Sequence, residues 1–329
     1  VEQSRVEQSR VEQSRAEQNL SELTRSELNS INLSICEWRS MSGSISGSIP
    51  SSASGDSLDQ SERDVSGLAE ALTDSGEVPV YNIAELLIRQ AARAPHRPAV
   101  ICALGEGADL RRSYTHLTFA QLNAESAHIA AALKASGIAR GTRAIVMVRP
   151  GPDLFAITFG LFKAGVVPVL IDPGMDRRDL KECIAQAAPE LFIGIPLAHL
   201  ARHILGWGRA TVKRTIMVGG ARRGVKGAMS ALLTRLLARE HLDELKRGVA
   251  TPLPEYLDER DPDAIAAILY TSGSTGAPKG AIYHHRHFAA QVELLKALYP
   301  FREGAFDVPT FPLFALFDPA LGMSAVFPQ

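Results

Sequence analysis

The sequence predicts an α/β fold with a mainly parallel sheet, and three observations lead there. Short apolar runs of strand type alternate with helical patterns of about ten to fifteen residues from Asn82 to Val218. Such alternation builds βαβ units, whose crossovers force parallel pairing. At 329 residues, 46% of them apolar, the chain can bury a core large enough for such a sheet.

The first 78 residues are of another kind. VEQSR occurs three times and decays through AEQNL and SELTR. A five-residue period turns a helix by about 500°, or roughly 140° net, so Val1, Val6 and Val11 land on different sides and no apolar stripe forms. Ser42–Ser66 is mostly Ser and Gly and has little to bury. Residues 1–78 are therefore expected to form a disordered low-complexity tail. The first Met is Met41. Two origins stay open for residues 1–40: a tandem DNA repeat translated from an over-extended gene start, or a genuine polar tail.

Residues 79–329 carry the fold. Asn82–Ala94 has apolar residues at helical spacing and is closed by Pro95. Pro98–Ala103 reads as a strand. Thr118 suits the N-cap of a helix Phe119–Ser136, with Gly137 at C′. Strand Arg143–Val148, helix Asp153–Ala164, strand Val166–Ile171, helix Arg177–Ala188, strand Leu191–Ile195, helix Leu197–Leu205 and strand Thr215–Val218 continue the alternation. Met229–Leu245 follows as a helix with Leu232, Leu233, Leu236 and Leu237 inside and Arg235 and Arg239 outside. With Arg222, Arg223 and Lys226 before it, that helix is read as a packed element with a charged face, peripheral lipid or acyl contact being the other reading. Ala264–Leu269 and Met323–Phe327 read as further strands.

Charge and composition exclude several classes. Lys+Arg 35 against Asp+Glu 36 leaves a net charge of -1 and no basic surface for nucleic acid. Cys36, Cys102 and Cys183 are scattered and encode neither a disulfide framework nor a zinc ribbon. No apolar run approaches the roughly 18 residues of a membrane span, and the start lacks the apolar core of a secretory signal. A cytoplasmic location is expected. His284, His285 and His287 have no acidic or thiol partner nearby and are read as a solvated helix start; His199 and His203 lack the Glu of a zinc-protease helix. No metal ligand set is assigned.

Chemistry concentrates after the strand Ala264–Leu269, in Tyr270-Thr-Ser-Gly-Ser-Thr-Gly-Ala-Pro-Lys279-Gly280. Gly273 and Gly276 let backbone N–H groups approach a ligand without a Cβ in the way. With the hydroxyls of Thr271, Ser272, Ser274 and Thr275 they make an anion-binding nest, and Lys279 adds a mobile positive charge. A polyphosphate suits it. A Walker A loop needs Gly before the Lys and Ser or Thr after it, whereas Pro278 and Gly280 stand there. Pro278 also disfavours helical geometry at Ala277, so Lys279 should not begin a helix.

This loop resembles the phosphate-binding signature of the adenylate-forming enzymes, which include acyl-CoA synthetases, luciferases and peptide-synthetase adenylation domains. Leu117-Thr-Phe-Ala-Gln-Leu-Asn123 resembles their first core motif and Leu161-Phe-Lys-Ala-Gly-Val-Val-Pro-Val-Leu-Ile-Asp-Pro173 their second, in the family's order. Both read as structural. The resemblance implies the parallel-sheet N-terminal domain of that family and the conversion of a carboxylate and ATP to acyl-AMP and pyrophosphate. Thr271, Ser272, Gly273, Ser274, Thr275, Gly276 and Lys279 would hold the phosphates, with Mg2+ shared, and Lys279 and Thr275 would assist the transition state.

Asp307-Val-Pro-Thr-Phe-Pro-Leu-Phe-Ala-Leu-Phe-Asp-Pro-Ala-Leu-Gly322 lies where the family has its acyl-pocket motif, with Ala315 where many members carry His. With Tyr283-His-His-Arg-His-Phe288 it looks similar to olefin-biosynthesis β-lactone synthetases, which are also labelled fatty-acid–CoA ligases. Those close a fatty-acid-type β-hydroxy acid into a β-lactone without coenzyme A; transfer of the acyl group to coenzyme A stays open as the other fate. Phe311, Phe314 and Phe317 are candidates for an apolar acyl pocket, or each is an ordinary core aromatic. The family's adenine motif, ribose-binding Asp, metal-orienting Glu and mobile C-terminal domain would follow Gln329. The expectation is therefore the front half of such an enzyme, inactive alone and poorly soluble through an exposed sheet edge. A non-catalytic phosphate-binding remnant or interaction module is the alternative.

Overall fold

The computed structural model describes residues 82–106, 112–171, 175–219, 237–271, 279–309 and 314–328. The tail expected over residues 1–78 lies outside them. Asn82, wholly buried, caps the first helix, α1 (Ile83–Arg93), by accepting from the Ala84 N–H at 2.9 Å. Its amide also donates to the carbonyls of Phe162 and Glu259, tying the helix start to two distant segments. The strands β1 (Pro98–Glu106) and β2 (Arg112–Thr118) form an antiparallel pair. The sequence reading foresaw only the first, because β2 is a polar edge strand with no apolar alternation to mark it. Thr118 and Gln121 form a reciprocal capping box at the head of α2 (Phe119–Ala135).

The alternation then runs as expected through β3 (Arg143–Met147), α3 (Pro152–Ala164), β4 (Val167–Ile171), α4 (Arg177–Ala187), β5 (Leu191–Gly194), α5 (Pro196–Leu205) and β6 (Arg214–Met217). The helix expected over Met229–Leu245 needs correction within its described part, residues 237–245. Glu240–His241 is a short strand, β7, parallel to β6, and a helix, α6 (Leu242–Arg247), begins only after it. The Glu240 carboxylate takes two hydrogen bonds from Arg214, and the Arg239 N–H donates to Thr215, so this stretch is drawn onto the sheet. The rest is β8 (Ile265–Thr271), β9 (Lys279–His284), α7 (His285–Leu298), β10 (Phe306–Asp307), a 3-10 turn Phe314–Phe317, α8 (Asp318–Leu321) and β11 (Ser324–Phe327).

Two sheets result. The larger has the order β7-β6-β5-β3-β4-β8-β9 and is parallel except for its last pair. Its chain steps from β3 to β4, then crosses to the far side of β3, the doubly wound arrangement that leaves ligand loops at carboxyl ends. The smaller sheet, β10-β11-β1-β2, was not separated from the first by sequence.

Helix α3 packs into the core that serves both sheets. Every residue from Leu154 to Ala164 is buried, and Phe155 meets Phe327 of the small sheet edge-on at 5.8 Å. Burying Phe155, Phe159 and Phe162 contributes roughly 1.5–3 kcal/mol each. At Gly160 a Cβ would lie 2.7 Å from Ile129, so only glycine lets α3 approach α2 this closely. A second core, with Cys183, Ile184, Ala187 and Trp207, covers the other face of the large sheet through Val167, Val169 and Phe192.

Candidate functional site

Strand β8 ends at the carboxyl edge of the large sheet, where β3 and β4 also end. Ile171 at the end of β4 is in register with Tyr270, and Thr271 is the cross-strand neighbour of Lys279. The two ends of the predicted phosphate loop are thus held about 4.5–5.5 Å apart by the ladder. Ser272, Gly273, Ser274, Thr275 and Gly276 fall in residues 272–278, outside the described residues. In keeping with Pro278, Lys279 does not begin a helix; it begins an antiparallel strand that the sequence did not announce.

Gly280 sits against Tyr270, which is 4% exposed: a Cβ there would lie 2.7 Å from Tyr270 Cζ. That contact fixes the strand directly behind Lys279. The lysine itself is exposed, and among the described residues no carboxylate pairs with it, so its charge is open to an anion. These features fit a phosphate ligand. Among the described residues no group of three or more His, Cys, Asp or Glu could hold a metal ion.

Strand β9 carries the chain away from this edge, about 17 Å over six residues. The histidine run therefore starts at the amino end of β8, as His284 is in register with Ile265. Only part of it is solvated. His285 is 1% exposed, edge-on to Phe162 at 6.0 Å, and burial pushes its pKa down to about 4. This corrects the expectation of a solvated helix start for His285. His199 and His203 bind separate carbonyls, Ile216 at 3.1 Å and Leu237 at 3.2 Å, and so tie α5 to its neighbours.

The acyl-pocket candidates divide. Phe311 lies outside the described residues, and Phe314 is 70% exposed. Phe317 is half-buried and packs on Phe288 at 5.7 Å, which in turn stacks on Tyr283 at 5.1 Å. Ala315, at the position where the resemblance expects histidine, has no exposed surface. A cavity of about 200 Å³ opens elsewhere, with Ile129, Ala156, Val218 and Leu242 below a rim holding Lys246. Lys246 is paired there with Glu125 at 2.6 Å and Asp243 at 3.1 Å.

Sequence reasoning missed one buried polar centre. Lys163, in the second motif, is wholly buried and reaches the Asn123 Oδ1 at 2.6 Å and the Asn123 carbonyl at 3.0 Å. Burial pushes its pKa down to about 7. A lysine inside an otherwise apolar helix was the available signal.

Residues 87–318 match the family described as AMP-binding enzyme. The chain is 48% identical over 258 residues to an olefin beta-lactone synthetase of Xanthomonas campestris pv. campestris, covering 78% of this chain and 44% of that protein. It is 45% identical over 250 residues to an olefin beta-lactone synthetase of Stenotrophomonas maltophilia, covering 75% and 43%. The chain thus spans less than half the length of these relatives. An anthranilate CoA ligase solved with anthranoyl-AMP shares the fold, with TM-score 0.60 and 19% identity over 76% of this chain and 46% of that one. Among the described residues no helix is long and apolar enough to cross a membrane.

Proposed function

The chain belongs to the AMP-binding enzyme family, and from that premise we propose that it supplies the phosphate loop and part of the acyl site of an ATP-dependent enzyme. That enzyme activates a fatty-acid-type carboxylate as acyl-AMP and passes it to β-lactone formation. Bound ATP supplies the adenylyl group, and Mg2+ comes with its phosphates. Thr271, Ser272, Ser274, Thr275, the Gly273 and Gly276 backbone and Lys279 hold the β- and γ-phosphates as charge moves onto them. The paired ends at Thr271 and Lys279 support this role.

The reaction balances in two steps. A carboxylate oxygen attacks the α-phosphorus, a P–O bond forms, and pyrophosphate leaves. The substrate's β-hydroxyl oxygen then attacks the acyl carbonyl, closing a four-membered ring as AMP leaves and the hydroxyl proton passes to solvent.

Identity of 48% to an olefin beta-lactone synthetase carries the choice of this second step. The test is incubation of the enzyme with a β-hydroxy fatty acid and ATP, with and without coenzyme A. Pyrophosphate and a product lighter than the acid by one water, formed without coenzyme A, are expected. A thioester formed only with coenzyme A would replace the β-lactone by the acyl-CoA branch. No pyrophosphate under either condition would favour the phosphate-binding remnant.

A further inference from the structure

Asp318 opens α8 on the far side of the Phe314–Phe317 turn and is 5% exposed. Among the described residues its Oδ2 has no hydrogen-bond donor in reach. An ionised carboxylate left so would lose its hydration without replacement. The neighbouring group is a second carboxyl, Asp307 of β10, close enough to hydrogen-bond it. Two carboxylates at that range cannot both ionise cheaply, and a proton between them satisfies the orphaned oxygen.

Ion pairs engage most of the other charges on the neighbouring elements. On α1, Glu85 pairs with Arg89 and Arg93 with Glu303. On α7, Arg286 pairs with Asp263, Lys296 with Glu293, and His285 is kept neutral by burial. Arg97 lies against Gly304, and among the described residues its Nη1 has no hydrogen-bond partner. The 3-10 turn and β11 carry no titratable group. Burial first, then Asp307, pushes the Asp318 pKa up to about 8.

We infer that Asp307 and Asp318 share one proton, and that this hydrogen bond holds the Phe314–Leu321 turn against β10 as a positioning contact for the acyl substrate. The second clause rests on assigning Phe314 and Phe317 to the acyl site. Phe317 immediately precedes Asp318, and the Met323 N–H donates to the Asp318 carbonyl at 2.9 Å, so the pair sits between the aromatic turn and the start of β11. Loss of the proton to solvent puts two negative charges in one buried place and loosens the turn.

Between pH 7 and pH 9 the protonated fraction falls from roughly nine-tenths to one-tenth, so apparent acyl affinity should weaken about tenfold. Binding of cis-parinaric acid, a fluorescent fatty acid, measures this; ATP titration calorimetry, expected to be unchanged, is the control. Asp318→Asn and Asp307→Asn keep a permanent donor, and both should bind at pH 9 as they do at pH 7. A tenfold loss persisting in both variants, or flat binding by the parent, would overturn the inference. Asp307 is only half-buried, so its variant remains informative if Asp318→Asn folds poorly. Should no form bind the probe at any pH, the acyl assignment and the positioning role fail together. The shared proton is then judged by infrared spectroscopy: a protonated-carboxyl band at pH 7, absent from Asp318→Asn and shifted in Asp307→Asn, supports it, and its absence from the parent refutes it.

Discussion

Lys163 offers the sharpest test of how this core is held together. A neutral amine has two N–H groups, and two acceptors surround it, the side-chain and main-chain oxygens of Asn123. Among the described residues the third N–H of an ammonium would have no partner, and no carboxylate pairs with Lys163. The amine therefore loses its proton at about pH 7 when folded, against an ordinary lysine value of 10.5. Between those two values the unfolded chain binds a proton that the folded chain does not. Stability must then rise with pH from about 7 to 10.5, and the full penalty applies below 7. At about 1.4 kcal/mol per unit the whole window is worth on the order of 4–5 kcal/mol. Lys163→Met removes the titrating group while keeping most of the volume. Urea unfolding of parent and variant at pH 7, 8, 9 and 10 gives a difference curve from which other groups cancel. We expect the parent to gain on the variant by about 1 kcal/mol per pH unit. A flat difference curve would show that Lys163 stays charged in the fold, refuting the two-acceptor account.

Three further outcomes are expected. Lys279→Ala combined with Thr275→Ala should lower the rate of pyrophosphate release by roughly 10²–10³, with unchanged ATP affinity and rate arguing against the loop assignment. Gly280→Ala forces a methyl into Tyr270 and should cost about 1–3 kcal/mol in thermal unfolding, whereas Gly206→Ala, with nothing within 4 Å but a φ of +69°, should show backbone strain alone. Thr118→Ala breaks the capping box of α2 and should cost about 1 kcal/mol; an unchanged melting temperature would remove the cap from the account of that helix.

The large sheet was legible because βαβ units write themselves locally. Each strand from β3 to β6 is a short apolar run, and each helix between them starts at a Pro or is capped by Asp176 and, where it ends at Gly165 or Gly206, closes on a left-handed glycine. The small sheet was not legible, since β11 pairs with β1 across most of the chain and no local pattern encodes that distance. The β7 strand failed for a similar reason: Ala238, Leu242 and Leu245 have helical spacing, and only Arg214 and Thr215, far upstream, pull the intervening residues onto β6. At the site, Pro278 marked Lys279 as unsuited to start a helix, but the antiparallel pairing of Thr271 with Lys279 was not foreseen. The Asp307–Asp318 pair lay in a segment read for its aromatics; a carboxylate inside Phe-Ala-Leu-Phe-Asp-Pro was visible but had no partner until the fold supplied one.

The lateness of the β1–β11 pairing has a consequence for biosynthesis. Ser324 Oγ donates to the Pro98 carbonyl across 226 residues. On a ribosome adding ~5–20 residues per second, β1 would wait roughly 10–45 s with one edge unpaired before its partner emerged. During that interval Ala99 and Val100 would depend on α1, α2 and α3 for cover. A nascent chain held by a chaperone over that window, or one whose helices condense early, would escape association through the open edge.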